Sequence, residues 1–480
     1  MSRSQTYSLQ TLESKEPLPA TTAENQTVTE IKSKKKFMRF LILGFTLLSL
    51  IYSFVLAQLV IVQYVYANIH KTYYPNVSFS TNESGCQLNT TSQLYRDQQT
   101  VQKMASQFII YAELARGVPG IFGIFFYGSL SDKYGRKLFL LVPFIGNMLK
   151  CVLTTVGIYL DWNIYIFIIF FFIDGCGGGW VLAVSIVMSI VADVTEPGKT
   201  RIFVIAMTEI SLGLGLVIGS FTSGFIIKAE GFMYALLISS CCSILPFLLL
   251  VFVPETLNKT EDQQRKSTTQ LAFDIFVFYF RDAALNGKRK IFLVCMLIYC
   301  FVITASFGAN GIETLFGLNS PFCMSSVQVG VFITMRTGIP FVLGMLLFRP
   351  LQLCLDESLI AVIANLSHSA GYILEAFAYS TLMLYFVPVL SFARTMAIPI
   401  VRGIMSSLTP QEKQGTMFAG IAIVETFCTQ FGSLTSTVVY GHTVETFRGA
   451  AFLVLAGYTS VAGVLSFVLY RITRRVKMHL

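Results

Sequence analysis

The sequence predicts an all-α polytopic membrane protein, with twelve transmembrane helices in two six-helix bundles. Three observations carry that prediction. Of 480 residues, 54% are hydrophobic and 13% charged, and the mean hydropathy is +0.66; this is more apolar surface than one soluble core of this length can hide. Twelve apolar runs, near the roughly 20 residues that a helix needs to cross the hydrocarbon layer, alternate with polar breaks. The runs fall six and six around one long polar stretch.

Residues 1–36 are polar, lack the charged-then-apolar pattern of a cleaved signal peptide and are read as a disordered cytosolic tail. The first bundle, 37–253, takes its runs from Phe37 to Val65, Ala105 to Tyr127, Leu138 to Ile158, Ile164 to Val191, Ile202 to Ile227 and Met233 to Val253. A central cytosolic linker, 254–290, holds the polar ETLNKTEDQQRKSTTQ and then LAFDIFVFYFRD, an amphipathic piece expected on the membrane surface. The second bundle, 291–470, runs from Ile291 to Ile312, Val327 to Phe348, Ser358 to Ala378, Thr381 to Met405, Thr416 to Tyr440 and Gly449 to Tyr470. A cytosolic tail, 471–480, closes the chain.

Sidedness follows from charge. Of the 35 Lys and Arg residues, 25 fall on the tails and on the loops of one side, five on the other (Lys71, Arg96, Lys103, Lys228, Arg448) and five within runs. The rich side is cytosolic by the positive-inside rule. Glycosylation sequons at Asn76, Asn82 and Asn89 share the first loop of the poor side, which agrees. Sequons at Asn25 and Asn258 fall on the cytosolic side and one at Asn365 inside a run, so none of these is expected to be used. Cys86 in that first loop and Cys323 after the seventh run both lie on the oxidising side, and a bridge between the halves is expected.

Several classes are excluded. Ten cysteines without a CxxC pair or a His/Cys cluster offer no metal site, and no cofactor or nucleic-acid partner is expected. Nucleophile, base and orienting group do not assemble, so the chain does not read as an enzyme. A repeated pore loop, which a channel would need, is missing too. The expected partners are the lipid bilayer and a small solute.

After the second run the chain reads GSLSDKYGRK, Gly128 to Lys137. Asp132 suits a helix terminus or a cation, Gly135 a positive-φ turn, and Arg136 a charged latch; Lys133 and Lys137 need only fix topology. FRPLQLCLDESL from Phe348, with Arg349, Asp356 and Glu357, is a degenerate counterpart in the second half. Ionisable residues inside the runs are Glu113, Arg116, Lys150, Asp174, Glu209, Arg336, Glu375, Arg394, Arg402 and Glu425. Each costs about 2.5–3.5 kcal/mol at the bilayer centre unless it meets a partner or a cavity. Glu113 and Arg116, at i and i+3, suit an internal pair, and Lys150 and Glu375 suit snorkelling. Arg394 and Arg402 share a stripe on the tenth run beside Pro399, a kink, and are candidates for a carboxylate-bearing solute, with Arg336 and Glu425. Asp174 and Glu209, beside GCGGGW and GLGLVIGS, are candidates for carrying a proton; the glycines are assigned to helix packing. His368 reads as a hydrogen-bonded packing residue.

The GSLSDKYGRK loop resembles the signature of the major facilitator superfamily. QYVYANI at Gln63, SDKYGRK at Ser131, the region from Asp193 through MTEISLGLG, LNSPFC at Leu318 and IPIVRGIMSSLTPQEKQGTMFAGIA at Ile398 narrow the resemblance to solute carrier family 46, which includes a proton-coupled folate carrier. The resemblance implies the major facilitator fold, a proton-linked acid at Glu209, a transport-linked arginine at Arg402 and a Cys86–Cys323 bridge. The chain departs from the family at Ser306, where the folate carrier has histidine, and at Met324, where members tend to have tryptophan. Ser306 joins the candidate solute site. The expectation is proton-coupled symport of an organic anion, folate-like or steroid-conjugate-like, into the cytosol across a plasma or endosomal/lysosomal membrane. The alternatives are an uncoupled facilitative carrier and a non-transporting receptor on the same fold.

Overall fold

The structure, a computed structural model, describes residues 20–73, 93–195, 199–253, 255, 277–281, 285, 287–409 and 414–478. Asn76, Asn82, Asn89 and Cys86 lie outside these residues. Cys323 is disulfide-bonded, whereas Cys151, Cys176, Cys241, Cys242, Cys295, Cys300, Cys354 and Cys428 are free.

All regular structure among the described residues is helical. The first half holds α1 (Ala20–Tyr73), α2 (Gln93–Tyr134), α3 (Arg136–Tyr159) and α4, which joins Ile164–Ile166, Phe167–Cys176 and Gly179–Val194. The run Lys199–Leu250 folds back at Gly231, where φ is 84°, and so forms α5 (199–230) and α6 (232–250). The second half holds α7 (Arg289–Gly308 continued by Asn310–Leu318), α8 (Ser326–Cys354) and α9 (Glu357–Ala376). It ends with α10 (Thr381–Leu390 and Ala397–Leu408), α11 (Gln414–Thr443) and α12 (Ala450–Met478).

Nine of the described helices are long and apolar enough to span a bilayer, or ten with the bent α10. Dividing Ile210–Leu250 at Gly231 and adding α11 accounts for twelve crossings. α11 is less apolar because Thr426, Thr429, Ser433, Ser436 and Thr437 turn inward and are buried there. Local chemistry fixes some helix starts. At α8, Ser325 Oγ accepts from the Gln328 N–H while Gln328 Oε1 accepts from the Ser325 N–H, a capping box that satisfies two orphan donors.

Four sequence expectations change. Helix begins at Ala20, inside the segment read as a disordered tail, because extending a helix already nucleated in the membrane adds a hydrogen bond per residue fixed. α7 continues to Leu318 rather than ending at Ile312, which places Glu313 inside a helix. Part of the linker piece packs inward instead of lying on the membrane surface: Phe278 and Tyr279 are buried against Phe292, and the Tyr279 hydroxyl donates to the Met417 carbonyl at 2.6 Å, while Phe280 is exposed and residues 271–276 lie outside the described residues. α10 breaks not at Pro399 but upstream, at 391–396, with a bend of 40°. The helix restarts at Ala397, so Pro399 occupies a first turn, where its missing N–H costs nothing.

The cores are divided unequally along the membrane normal. At the end remote from the tails, one continuous apolar core joins α1, α2 and α4 of the first half to Ile312, Leu315, Phe316, Met324, Val329, Phe332 and Tyr440 of the second. At the tail end each half keeps its own core, the first around Leu43, Leu47, Phe144 and Leu182, the second around Phe292, Tyr299, Ile400 and Met417. A polar network reinforces the remote closure. Gln99 of α2 donates to Asn319 Oδ1 at 3.0 Å, Asn319 donates to the Tyr440 hydroxyl at 3.5 Å, and that hydroxyl donates to Gln102 Oε1 at 3.4 Å. Asn319 belongs to the LNSPFC segment.

Candidate functional site

In the loop after α2, where the sequence suggested a charged latch, the bonds involve a partner that the sequence did not announce. Gly135, at φ 133°, separates α2 from α3, and a Cβ added there would lie 2.6 Å from Glu255 Oε2. That space lets the Glu255 carboxylate accept from the backbone N–H groups of Arg136 and Lys137, at 3.0 and 3.1 Å. These are orphan donors of the α3 N-terminus, and the helix dipole favours a negative charge there. The Arg136 side chain donates to Asp193 Oδ2 at 3.2 Å and to Ser131 Oγ at 3.1 Å. The bonds tie α2, α3, α4 and the start of the linker, at Glu255, into one unit. The side chain of Asp132 is not among those described.

In the first half, α3 and α4 bring Lys150 Nζ to 2.8 Å from Asp174 Oδ2, each side chain 1% exposed. Glu113 and Arg116 form the internal pair that their spacing suggested. Phe54 of α1 lies between the two cations, its ring centroid 4.6 Å from Lys150 Nζ and 5.4 Å from Arg116 Cζ. Lys150 therefore does not snorkel, because its counter-ion is inside. Close approach of the helices depends on Gly175, where any Cβ would collide with the Arg116 carbonyl. Glu209 lies on α5, and its side chain is not among those described.

In the second half, Arg336 is 1% exposed and fully engaged: Nε donates to Glu313 Oε1 at 3.1 Å, Nη2 to Glu375 Oε2 at 2.9 Å and Nη1 to Ser391 Oγ at 3.3 Å. Its guanidinium also lies over the Tyr372 ring, 5.0 Å from the centroid. Glu375 is buried by this arrangement rather than reaching the interface. Sequence reasoning missed Glu313 because the seventh run had been closed one residue early; the apolar pattern of GIETLFGL continues past it. His368 is buried and stacks on Tyr372 with centroids 4.6 Å apart, but neither ring nitrogen has a hydrogen-bond partner among the described residues, so packing rather than hydrogen bonding holds it.

The two arginines of the tenth run go to different places because the helix is broken between them. Arg402, 26% exposed, pairs with Glu425, 15% exposed, at 2.7 Å, and both bond the Tyr299 hydroxyl. Tyr299 was another residue that periodicity gave no reason to single out. Arg394, half-buried at the break, makes no ion pair among the described residues; its electrostatic neighbours are Arg336, Tyr372, Glu313 and Glu375. Ser306 is half-buried on α7. Next to it, Phe307 meets Trp180 of α4 with ring centroids 5.6 Å apart, and Trp180 meets Phe54 at 6.2 Å, so an aromatic platform crosses from one half to the other.

A profile of the Major Facilitator Superfamily matches residues 98–433. The lysosomal proton-coupled steroid conjugate and bile acid symporter of Gallus gallus is 26% identical over 420 residues, 85% of this chain and 90% of that protein. The proton-coupled folate transporter of Rattus norvegicus is 24% identical over 372 residues, 78% of this chain and 80% of that protein. Among solved structures, the human organic anion transporter MFSD10 superposes with a TM-score of 0.61 at 17% identity, covering 90% of this chain and 99% of that one.

Proposed function

The chain belongs to the major facilitator superfamily, and on that premise we propose that it is a solute transporter that moves an organic anion together with a proton by alternating access. The observation that carries the anion is Arg394. It is an in-span guanidinium at a helix break, without a carboxylate bonded to it among the described residues, whereas Arg116, Lys150, Arg336 and Arg402 each have one. A guanidinium with no carboxylate bonded to it keeps its donors available for a solute anion, even where neighbouring carboxylates offset its charge. The aromatic platform of Phe54, Trp180 and Phe307 suits a solute with a broad apolar body. Steroid conjugates and folates, which the names of the two relatives give as their solutes, have that shape.

The division of the cores supplies the access. The halves share a core at the remote end and keep largely separate cores at the tail end, which supports a passage between them that opens toward the tail end. With the tails in the cytosol, as the charge distribution implies, this is an inward-facing state, and Arg402 with Glu425 stands where a solute leaves. The opposite state parts the remote core and its Gln99–Asn319–Tyr440 network and closes the tail end. Import follows when the remote compartment is the more acidic, either an endolysosomal lumen or an acid extracellular space. Glu209 and Asp174 are the first-half candidates for the proton, Asp174 being engaged by Lys150 in this state.

The test is uptake into proteoliposomes of a steroid sulfate, a bile acid and a folate, with and without an imposed pH gradient. Accumulation that needs the gradient and an anionic solute is expected. Uptake indifferent to the gradient refutes proton coupling, and tight binding without flux assigns the chain to the receptor class.

A further inference from the structure

The sequence placed the proton in the first half, but the second half contains a carboxylate whose surroundings suit that role better. Glu313 of α7, Arg336 of α8 and Glu375 of α9 put two carboxylates on one guanidinium, all three nearly free of solvent contact. Glu375 spends Oε2 on Arg336, while Oε1 is buried with no hydrogen-bond partner among the described residues. A buried carboxylate oxygen with no donor facing it is costly; the same oxygen carrying a proton is part of a neutral acid. The groups around Glu375 can be enumerated. α8 brings Arg336, α7 brings Glu313, the α10 break brings Arg394 and Ser391, and α9 itself brings Tyr372 and His368. α12, packed along α9, meets it through Ser460 and Ser466, and its described charged residues, Arg471 and Arg474, stand at its far C-terminal end.

Charge arithmetic links this cluster to the solute. With both carboxylates ionised, the triad carries one net negative charge, and Arg394, close enough to act on it electrostatically, balances that charge. When a solute carboxylate or sulfate takes Arg394 for itself, the balance is lost and one proton restores it. We propose that Glu375 takes up the coupling proton at Oε1 when an anionic solute engages Arg394, so that the Glu313–Arg336–Glu375 cluster is the second-half proton site of the symport proposed above. It rests on that reading. The proton comes from hydronium of the remote compartment: one O–H bond of that ion breaks, leaving water, as the Glu375 O–H forms, and when the solute leaves the Glu375 O–H breaks and the proton passes to water at the tail end. By linkage the effect is reciprocal: the proton must tighten the solute as much as the solute tightens the proton, and couplings of this kind are about 5- to 150-fold.

The experiment uses the full chain in proteoliposomes, with a steroid sulfate as probe. Wild type and Glu375→Gln are compared in gradient-driven accumulation and in solute counterflow at equal pH, an exchange that needs no net proton movement. Glu375→Gln keeps counterflow, which also shows that it is folded, and loses accumulation and the about 5- to 150-fold tightening of solute at low pH. Accumulation retained at the wild-type level in Glu375→Gln overturns the proposal and leaves proton symport standing. A wild type that ignores the gradient overturns both. Should the Gln variant not fold, Glu375→Asp keeps the carboxyl at a shorter reach; its pH dependence of solute binding is displaced from that of wild type, and an unchanged dependence overturns the proposal.

Discussion

Replacing Lys150 by Met removes one partner of an ion pair whose members are each 1% exposed and 2.8 Å apart. Taking one charge out of a buried pair leaves the other uncompensated, at a cost of about 3–5 kcal/mol, and the scale for a lone charge at mid-membrane, about 2.5–3.5 kcal/mol, gives a similar figure. The lost contact of Lys150 with Phe54, at 4.6 Å, is the smaller contribution, about 1–2 kcal/mol. The double replacement Lys150→Met with Asp174→Leu removes both charges at similar volume, and such exchanges are close to neutral or better. The pattern expected is therefore one unstable single variant rescued by the second substitution, with a coupling of at least about 2 kcal/mol. Reversible unfolding in mixed micelles, read by near-ultraviolet circular dichroism, measures it. A Lys150→Met cost below about 1 kcal/mol, or a double variant no more stable than the single, refutes the reasoning. Gradient-driven uptake by the double variant then separates structure from coupling: it is expected to persist, and its loss would return Asp174 to the proton path.

Other consequences are as specific. Glu255→Ala frees two N–H groups at the start of α3 and should cost about 1–2 kcal/mol of stability, of which Glu255→Gln, with one acceptor oxygen in place of two and no charge, regains only a part; an unchanged melting curve contradicts the capping. Gly135→Ala forces a side chain into φ 133° and against Glu255, so it should be worse than Glu255→Ala, measured the same way. Arg394→Gln should abolish solute binding while leaving the protein folded, whereas Arg336→Gln, which strands two buried carboxylates, should lower stability by about 3–5 kcal/mol; equal effects of the two on folding would undo the distinction. Tyr279→Phe removes a bond to the Met417 carbonyl and should cost about 1 kcal/mol, with faster proteolysis of the linker as the accessible readout.

What could be read from the sequence was whatever depends on the solvent. Hydrophobic run length, the six-and-six division and the charge asymmetry all reflect the exchange of each segment with lipid or water, and that exchange is a property of the segment alone. The GSLSDKYGRK loop was legible for a related reason, since the need for a turn at Gly135 and for a charge at Arg136 is local. The pairing of the buried charges was not legible. Ten in-span ionisable residues announced themselves by their cost, but not which would meet: Lys150 found Asp174 across two helices, Arg336 found Glu375 and the overlooked Glu313, and Arg402 found Glu425 and Tyr299. The separation of Arg394 from Arg402 turned on where α10 breaks, which is decided by Pro399 seeking a first turn and by how α8 and α9 pack beside it. The sequence alone thus determined that this chain is a two-bundle membrane protein with expensive charges inside. Only the tertiary structure decided which of those charges pair with one another and which, like Arg394, make no ion pair among the described residues, because electrostatic energy in a low-dielectric interior depends on distances between helices that no single helix specifies.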